Sequence, residues 1–253
     1  MISKKTNLSI LTGISSSHML NDMMQSLIVA IYPILQSDFS LTFAQIGLIT
    51  FTYQCTASFL QPVIGIYTDK HPKPYSLPIG MGFTFVGLIL LAFSSHFYTV
   101  LLAASLVGIG SAVFHPESSR VARMASGGSY GFAQSFFQVG GNFGSSLGPL
   151  LAAILITPFG KQNVAFFAFF ALVGIFILLK VSKWYGEQQR VKKEKARIVT
   201  HSLPKKTIIF CLVILLILVF SKAFYLSSLT SYYTFYLMDK FALTEQKAQI
   251  YLF

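Results

Sequence analysis

Apolar residues fall along this chain in long blocks. Residues 8–35, 43–67, 75–93, 97–116, 128–157, 164–182 and 207–237 are dominated by Leu, Ile, Val, Phe, Ala and Gly, and a further block begins near Thr244. A helix needs about 20 mostly apolar residues to cross a bilayer, and the blocks reach that length. They are too long for barrel strands and lack strict alternation, so helical spans are the elements predicted.

The first block departs from the pattern in its middle, where Ser15, His18, Asn21, Asp22, Gln25 and Ser26 interrupt it. A charge near the centre of a span is disfavoured by about 3 kcal/mol or more. Ser15, His18, Asp22, Gln25 or Ser26, and Val29 follow the three-and-four spacing of one helix face. That stripe is expected to face a bundle interior or a watered cavity, as part of a solute or proton pathway. The alternative is architectural: Asp22 hydrogen-bonds a neighbouring helix and holds the bundle together.

Composition agrees with a polytopic membrane protein. The chain has 253 residues, 54% of them hydrophobic and 11% charged, against about 25% charged in a soluble domain. Its formal charge of +11 does not point to nucleic acid, because the cations sit in short segments between apolar blocks. Cys55 and Cys211 lie within apolar blocks and read as packing residues, with no disulfide, metal site or cofactor expected. The single tryptophan, Trp184, follows an apolar block where an interfacial anchor would sit. Lys4 and Lys5 before the first block resemble the start of a signal peptide, but that block is too long and too polar, and it reads as a retained span.

Lys and Arg also set an expected orientation. Lys4 and Lys5, Lys70 and Lys73, Arg120 and Arg123, and a cluster from Lys183 to Lys206 fall on one side, against Lys161 and Lys240 on the other. The N-terminus is therefore expected in the cytoplasm. Residues 1–182 read as an N-terminal six-span bundle, 183–206 as a basic cytoplasmic linker near anionic lipid, and 207–253 as the incomplete start of a second bundle. The chain stops inside an apolar run after Gln249, and a fragment or a shortened reading frame is the expectation.

Three motifs carry more specific chemistry. The second block ends in Gly65-Ile66-Tyr67-Thr68-Asp69-Lys70-His71-Pro72-Lys73, with a glycine suited to close helix approach, an aspartate near a helix end and interfacial lysines. In the fifth block Gly140, Gly144 and Gly148 recur every four residues before Pro149, a stripe that lets a neighbouring backbone come close. On that block Gln134, Gln138 and Asn142 form a second stripe, suited to solute binding or to plain interhelical hydrogen bonding. The fourth block ends in Phe114-His115-Pro116-Glu117-Ser118-Ser119-Arg120. There His115 and Glu117 either carry protons together or, for the glutamate, pair with Arg120 or Arg123. Lys222, within the seventh block, is expected to line a cavity.

The Gly65–Lys73 segment closely resembles the signature loop of the major facilitator superfamily, with Pro72 where the family usually has glycine. On that resemblance Gly65, Asp69, Lys70 and Lys73 are conformational gate residues. Gly144-Ser145-Ser146-Leu147-Gly148-Pro149 resembles the fifth-helix motif of its antiporters, with Ala152 and Ala153 in place of the trailing glycines. The arginine that many drug antiporters carry early in the fourth helix is absent, with Ala103-Ala104-Ser105 there instead. His18-Met19-Leu20-Asn21-Asp22 together with Phe114-His115-Pro116-Glu117 resembles the fosmidomycin resistance branch. This implies an all-α membrane fold of major facilitator type, a six-helix bundle plus the first one to two helices of a second. It implies a proton-driven efflux antiporter of a small drug-like or anionic compound, monomeric when full length, in the inner (plasma) membrane. Its solute and protons would pass by His18, Asn21, Asp22, Gln25, His115, Glu117, Gln138, Asn142 and Lys222. Alternatives are a proton-coupled importer of a sugar or organic acid, or an inert remnant. An enzyme is not expected, since no nucleophile, base and metal-ligand cluster stands out.

Overall fold

The computed structural model describes residues 5–193 and 204–253, and its regular elements are helical throughout. Asn7 caps α1 (Leu8–Ala30), its side chain accepting from the Ile10 amide at 3.2 Å. Pro33 lacks the N–H that would bond the Val29 carbonyl, and the helix breaks at Ile31 before resuming as α2 (Tyr32–Phe39). A Thr42–Gln45 capping box starts α3 (Phe43–Gln54). A π-helical turn, Cys55–Phe59, joins it to α4 (Leu60–Lys70). Pro62 removes the bond to the Ser58 carbonyl, and the wider turn just before it accommodates the ring.

The helices α5 (Ser76–Ala92) and α6 (Phe97–Ala125) pack side by side. The apolar pattern ends the fourth span at Pro116, but α6 runs nine residues further, to Ala125. A proline costs one hydrogen bond, and the buried side chains beyond it, Val121, Ala122 and Ala125, hold the last turns in place. Next come α7 (Tyr130–Leu151), a second π turn at Ala152–Ile156 and a short 3-10 turn at Lys161–Asn163. The next helix, α8 (Val164–Lys193), continues past Ser182, so the first part of the basic stretch is helical. Residues 194–203 of the expected linker lie outside the described residues. The chain then forms α9 (Lys205–Phe241) and α10 (Glu245–Leu252).

By length and composition the stretches 97–125, 130–156, 161–190 and 206–241 can cross a membrane, while α5 is shorter. The core is built on Leu11, Ile14, Met24 and Leu27 of α1, Phe114 of α6, and Phe167 and Tyr185 of α8. At the end of the bundle away from Asn7, buried Lys161 donates to the Ser94 carbonyl at 2.7 Å and lies over the Phe39 ring. The helix α9 meets the bundle through Ser231, Thr234 and Leu237, and its earlier turns are exposed. Cys211 is on that part and is exposed among the described residues, where a packing role is expected of it.

The glycine stripe of α7 is pressed against α1. A Cβ added at Gly140 would collide with Ser15, at Gly144 with the Met19 backbone, and at Gly148 with Ser26 and Met23. Gly65 is different: a Cβ there meets only Pro116, at an ordinary 3.9 Å, so no close helix approach depends on it. The tight crossing onto the second span is made from the other side, where Gly108 of α6 abuts Tyr53 and Thr56.

Gly144→Ala is expected to lower stability by about 1–3 kcal/mol, because the methyl has no room against the Met19 carbonyl. Gly82→Ala, whose Cβ meets nothing within 4 Å, is expected to be neutral or mildly stabilising. Thermal unfolding of the purified chain in detergent compares the two, and equal melting temperatures would refute the packing argument.

Candidate functional site

His18 and Asp22 stand one turn apart on α1, and the contact with α7 decides what surrounds them. The His18 ring stacks on Phe137 with centroids 4.0 Å apart, in space left open by the missing side chain of Gly141. Its Nδ1 lies 2.9 Å from the Phe137 carbonyl oxygen. That oxygen only accepts, so Nδ1 carries the hydrogen and Nε2 faces Asp22 Oδ2 at 3.2 Å.

The second imidazole comes from α6. His115 Nδ1 lies 3.0 Å from the Ser111 carbonyl oxygen, which by the same reasoning fixes its hydrogen there. Its Nε2 points at Asp22 Oδ1, 3.5 Å away. The two rings meet edge to face with centroids 5.4 Å apart. Asp22 is thus held between two anchored imidazoles, its side chain 15% exposed, and it also accepts from Asn21 Nδ2 at 3.1 Å. With both rings neutral, each Nε2 turns a lone pair toward a carboxylate oxygen, and a proton entering either contact converts it to a charge-assisted hydrogen bond. The three ligand atoms lie within 4.8 Å of one another, a spacing a metal cation also fits. A single proton, however, neutralises the cluster's charge, whereas a divalent ion would reverse it.

One turn further along α1, Gln25 Oε1 accepts from Tyr53 Oη and, at 3.3 Å, from Ser111 Oγ. A cavity of about 280 Å³ opens beside these groups, bordered among others by Asp22, Gln25, Ser26, Tyr53, Ser145 and Thr230. Among the described residues its lining holds one charged side chain, Asp22.

Glu117 does not join His115. Two residues correspond to about 200° around a helix, so His115 turns to α1 while Glu117 turns to α8. Glu117 is fully buried, accepting from Arg120 Nη1 at 2.6 Å and from Tyr185 Oη at 3.2 Å. Arg120 also reaches Asp69 at the end of α4. Asp69 therefore pairs with an arginine of α6, while Lys70 and Lys73 are exposed and form no ion pair among the described residues. The glutamate follows the pairing alternative, because a buried carboxylate beside a guanidinium is far better satisfied than an isolated one.

The same 200° rotation places Gln138 and Asn142. With Gly140 and Gly144 against α1, the amides lie on the side of α7 that carries Ser145 and Pro149 of the cavity border, exposed and bonded to each other at 3.1 Å. Lys222 is exposed on the part of α9 that packs on nothing among the described residues, and it does not line the cavity beside Asp22. Sequence reasoning missed Tyr53, Ser111 and Tyr185 as members of these networks. Their only signal was a hydroxyl inside an apolar run, which is common in packed helices.

Residues 14–253 match the Major Facilitator Superfamily. The fosmidomycin resistance protein of Escherichia coli strain K12 is 62% identical over 250 residues, covering 98% of this chain and 62% of that protein. YfnC of Bacillus subtilis strain 168, an uncharacterized MFS-type transporter, is 41% identical over 249 residues, covering 96% of this chain and 61% of its own length. The chain thus spans less than two thirds of these relatives. Among solved structures, a bacterial homologue of the human lysosomal transporter Spinster, inward-facing and occupied, superposes with a TM-score of 0.72 at 16% identity. That match covers 98% of this chain and 57% of the other, and it shows the fold. The fold and the match along nearly the whole chain agree: this chain belongs to the Major Facilitator Superfamily.

Proposed function

We propose that the function of this chain is secondary active transport, as a proton-coupled efflux antiporter of a small drug-like or anionic compound. Fosmidomycin is the first compound to test, because the 62% identical E. coli relative is named for resistance to it. The observation that carries the reading is Asp22, placed between two imidazoles whose far nitrogens are anchored on backbone carbonyls. Nothing in the bilayer interior supplies counter-charge, so the ionised cluster favours a state open to water. Adding one proton removes the net charge and lowers the cost of closing the cavity around it. A proton and a solute that both need the space beside Asp22 would then occupy it in turn.

In this reading residues 1–182 form the first bundle, 183–206 link it to the second, and 207–253 begin the second. The N-terminus lies in the cytoplasm and the protein sits in the plasma membrane as a monomer. The Asp69–Arg120–Glu117–Tyr185 network then lies at the cytoplasmic end, tying α4, α6 and α8 together where the gate loop begins. Asp69 is its exposed member, which suits the part of a contact made and broken as the bundles move. Transport rather than catalysis is the function that fits this arrangement.

Asp22→Asn keeps the shape and removes the group that exchanges the proton. Cells producing the chain are expected to tolerate fosmidomycin better than vector controls, and the Asp22→Asn variant to lose that protection. Proteoliposome efflux driven by a pH step is expected to fall by at least about tenfold, the order for losing a positioned proton-transfer group. Protection by the variant equal to wild type would sink the role of Asp22, and no protection by the wild-type chain would sink the transport reading for it. For the network, Arg120→Ala leaves Glu117 buried without its partner and is expected to cost about 3–5 kcal/mol. A second change, Glu117→Gln, is expected to restore most of that in thermal melts. A double variant no more stable than Arg120→Ala would contradict the pairing.

A further inference from the structure

At the outer end of the bundle, the end away from Asn7, prolines release two backbone carbonyls from their helices. Pro33 interrupts α1, and the break at Ile31 takes the Ala30 carbonyl out of the helical ladder. In the π turn at Ala152–Ile156 the Thr157 amide bonds the Ala152 carbonyl. The residue that would bond Ala153 in the same pattern is Pro158, which has no N–H. Ala30 and Ala153 are fully buried, so their carbonyls need donors from elsewhere.

Both donors come from α10. Gln246 and Gln249 stand three residues apart on one side of that helix. Gln246 Nε2 donates to the Ala153 carbonyl at 3.1 Å, and Gln249 Nε2 to the Ala30 carbonyl at 3.1 Å. Gln249 is fully buried and fully paired, since it also donates to Glu245 Oε1 at 3.3 Å and its Oε1 accepts from Thr157 Oγ1. One amide thus ties α10 to the end of α1 and to the turn that follows α7. The contact of α9 at this end is polar too, with Thr50 Oγ1 3.1 Å from Ser231 Oγ and 2.9 Å from Tyr32 Oη.

These bonds lie just beyond the cavity beside Asp22. Val29, Pro149 and Leu252 are on its border. Val29 precedes Ala30, Pro149 is one turn before Ala153, and Leu252 is one turn past Gln249, so each border residue adjoins a member of the amide contact. We propose that Gln246 and Gln249 form the outer gate of the solute path, a pair of amides that hold proline-released carbonyls and let go of them when the cavity opens outward. The proposal rests on the transport reading of that cavity and on α9 and α10 as the start of the second bundle. Amides suit a joint that must part, because water replaces their partners and each lost bond shifts the opening equilibrium only about twofold to tenfold. Once parted, the two carbonyls have no donor in their own helices, so the open state requires water at this end and a dry, half-open one is disfavoured.

Ser145, exposed on the cavity border, serves as a reporter position. The full chain carrying Ser145→Cys, with Cys55→Ala and Cys211→Ala, is placed in right-side-out and in inside-out membrane vesicles. Its rate of labelling by a membrane-impermeant methanethiosulfonate is measured in each. Gln249→Leu keeps the volume and removes the amide, and it is expected to raise the rate from the outer side about tenfold. Gln246→Leu is expected to raise it about threefold, and Gln162→Ala, an exposed glutamine at the same end, to leave it unchanged. Adding Thr157→Val to Gln249→Leu is expected to give no further increase, since both changes remove the same bond. A thiol at the buried position Ala171→Cys is expected to stay unlabelled, reporting an intact bundle, and Gln246→Leu at an exposed site carries the same test if Gln249→Leu disturbs it. Gln249 and Gln246 variants labelled as slowly as the parent would overturn the proposal, and so would equal acceleration from both sides. Acceleration confined to inside-out vesicles would support the gate and overturn the orientation. One-sided acceleration in a chain that gives no protection against fosmidomycin would support the joint and overturn the transport reading alone.

Discussion

The backbone of α1 lies directly on the glycine stripe of α7, and that contact governs what the polar groups of the first helix can reach. Gly140, Gly144 and Gly148 have no side chains to hold the helices apart, and Gly141 leaves room for an imidazole. His18 therefore stacks on Phe137 and bonds its carbonyl, while Ser15 donates to the Phe136 carbonyl at 2.8 Å. Within a bilayer such groups have no water to turn to, so a span with this many polar side chains is stable only where a neighbouring backbone meets them. The remaining polar face, from Asp22 to Ser26, is left at the cavity.

Two charge clusters follow from one helix. His115 and Glu117 are separated in α6 only by Pro116, yet each completes a different network. One surrounds Asp22 deep between α1 and α6. The other joins Asp69, Arg120, Glu117 and Tyr185 at the ends of α4, α6 and α8. Because both are carried by the same stretch of α6, a displacement of that helix would be felt at both. That gives a structural route, through a rigid element, between the Asp22 cluster and the Asp69–Arg120–Glu117 network.

How much of this is legible in sequence depends on the kind of signal. Long apolar blocks, the three-and-four spacing of Ser15, His18 and Asp22, and the four-residue repeat of Gly140, Gly144 and Gly148 are local patterns. Their meaning survives without knowing any neighbour. Element ends are less legible. Pro116 reads as a stop but is carried through α6, and α8 runs past Ser182 to Lys193, because packing of later turns offsets an unfavourable residue. Pairings are the least accessible, since Asp69 is flanked by lysines in sequence but meets Arg120, 51 residues away.

The sequence alone therefore determined the helical membrane class, the polar face of the first span, the small-residue stripe and the likeness to a transporter superfamily. Each follows from periodicity or from residues adjacent in the chain. Tertiary structure decided which helix the stripe receives, that His115 rather than Glu117 joins Asp22, that Gln138 and Asn142 are exposed on the side of α7 that carries Ser145 and Pro149, and that Lys222 lies outside the border of the cavity. Those outcomes depend on the rotation of each helix about its axis. Two residues' difference turns a side chain to the opposite side, and only the packing of neighbouring helices sets that angle.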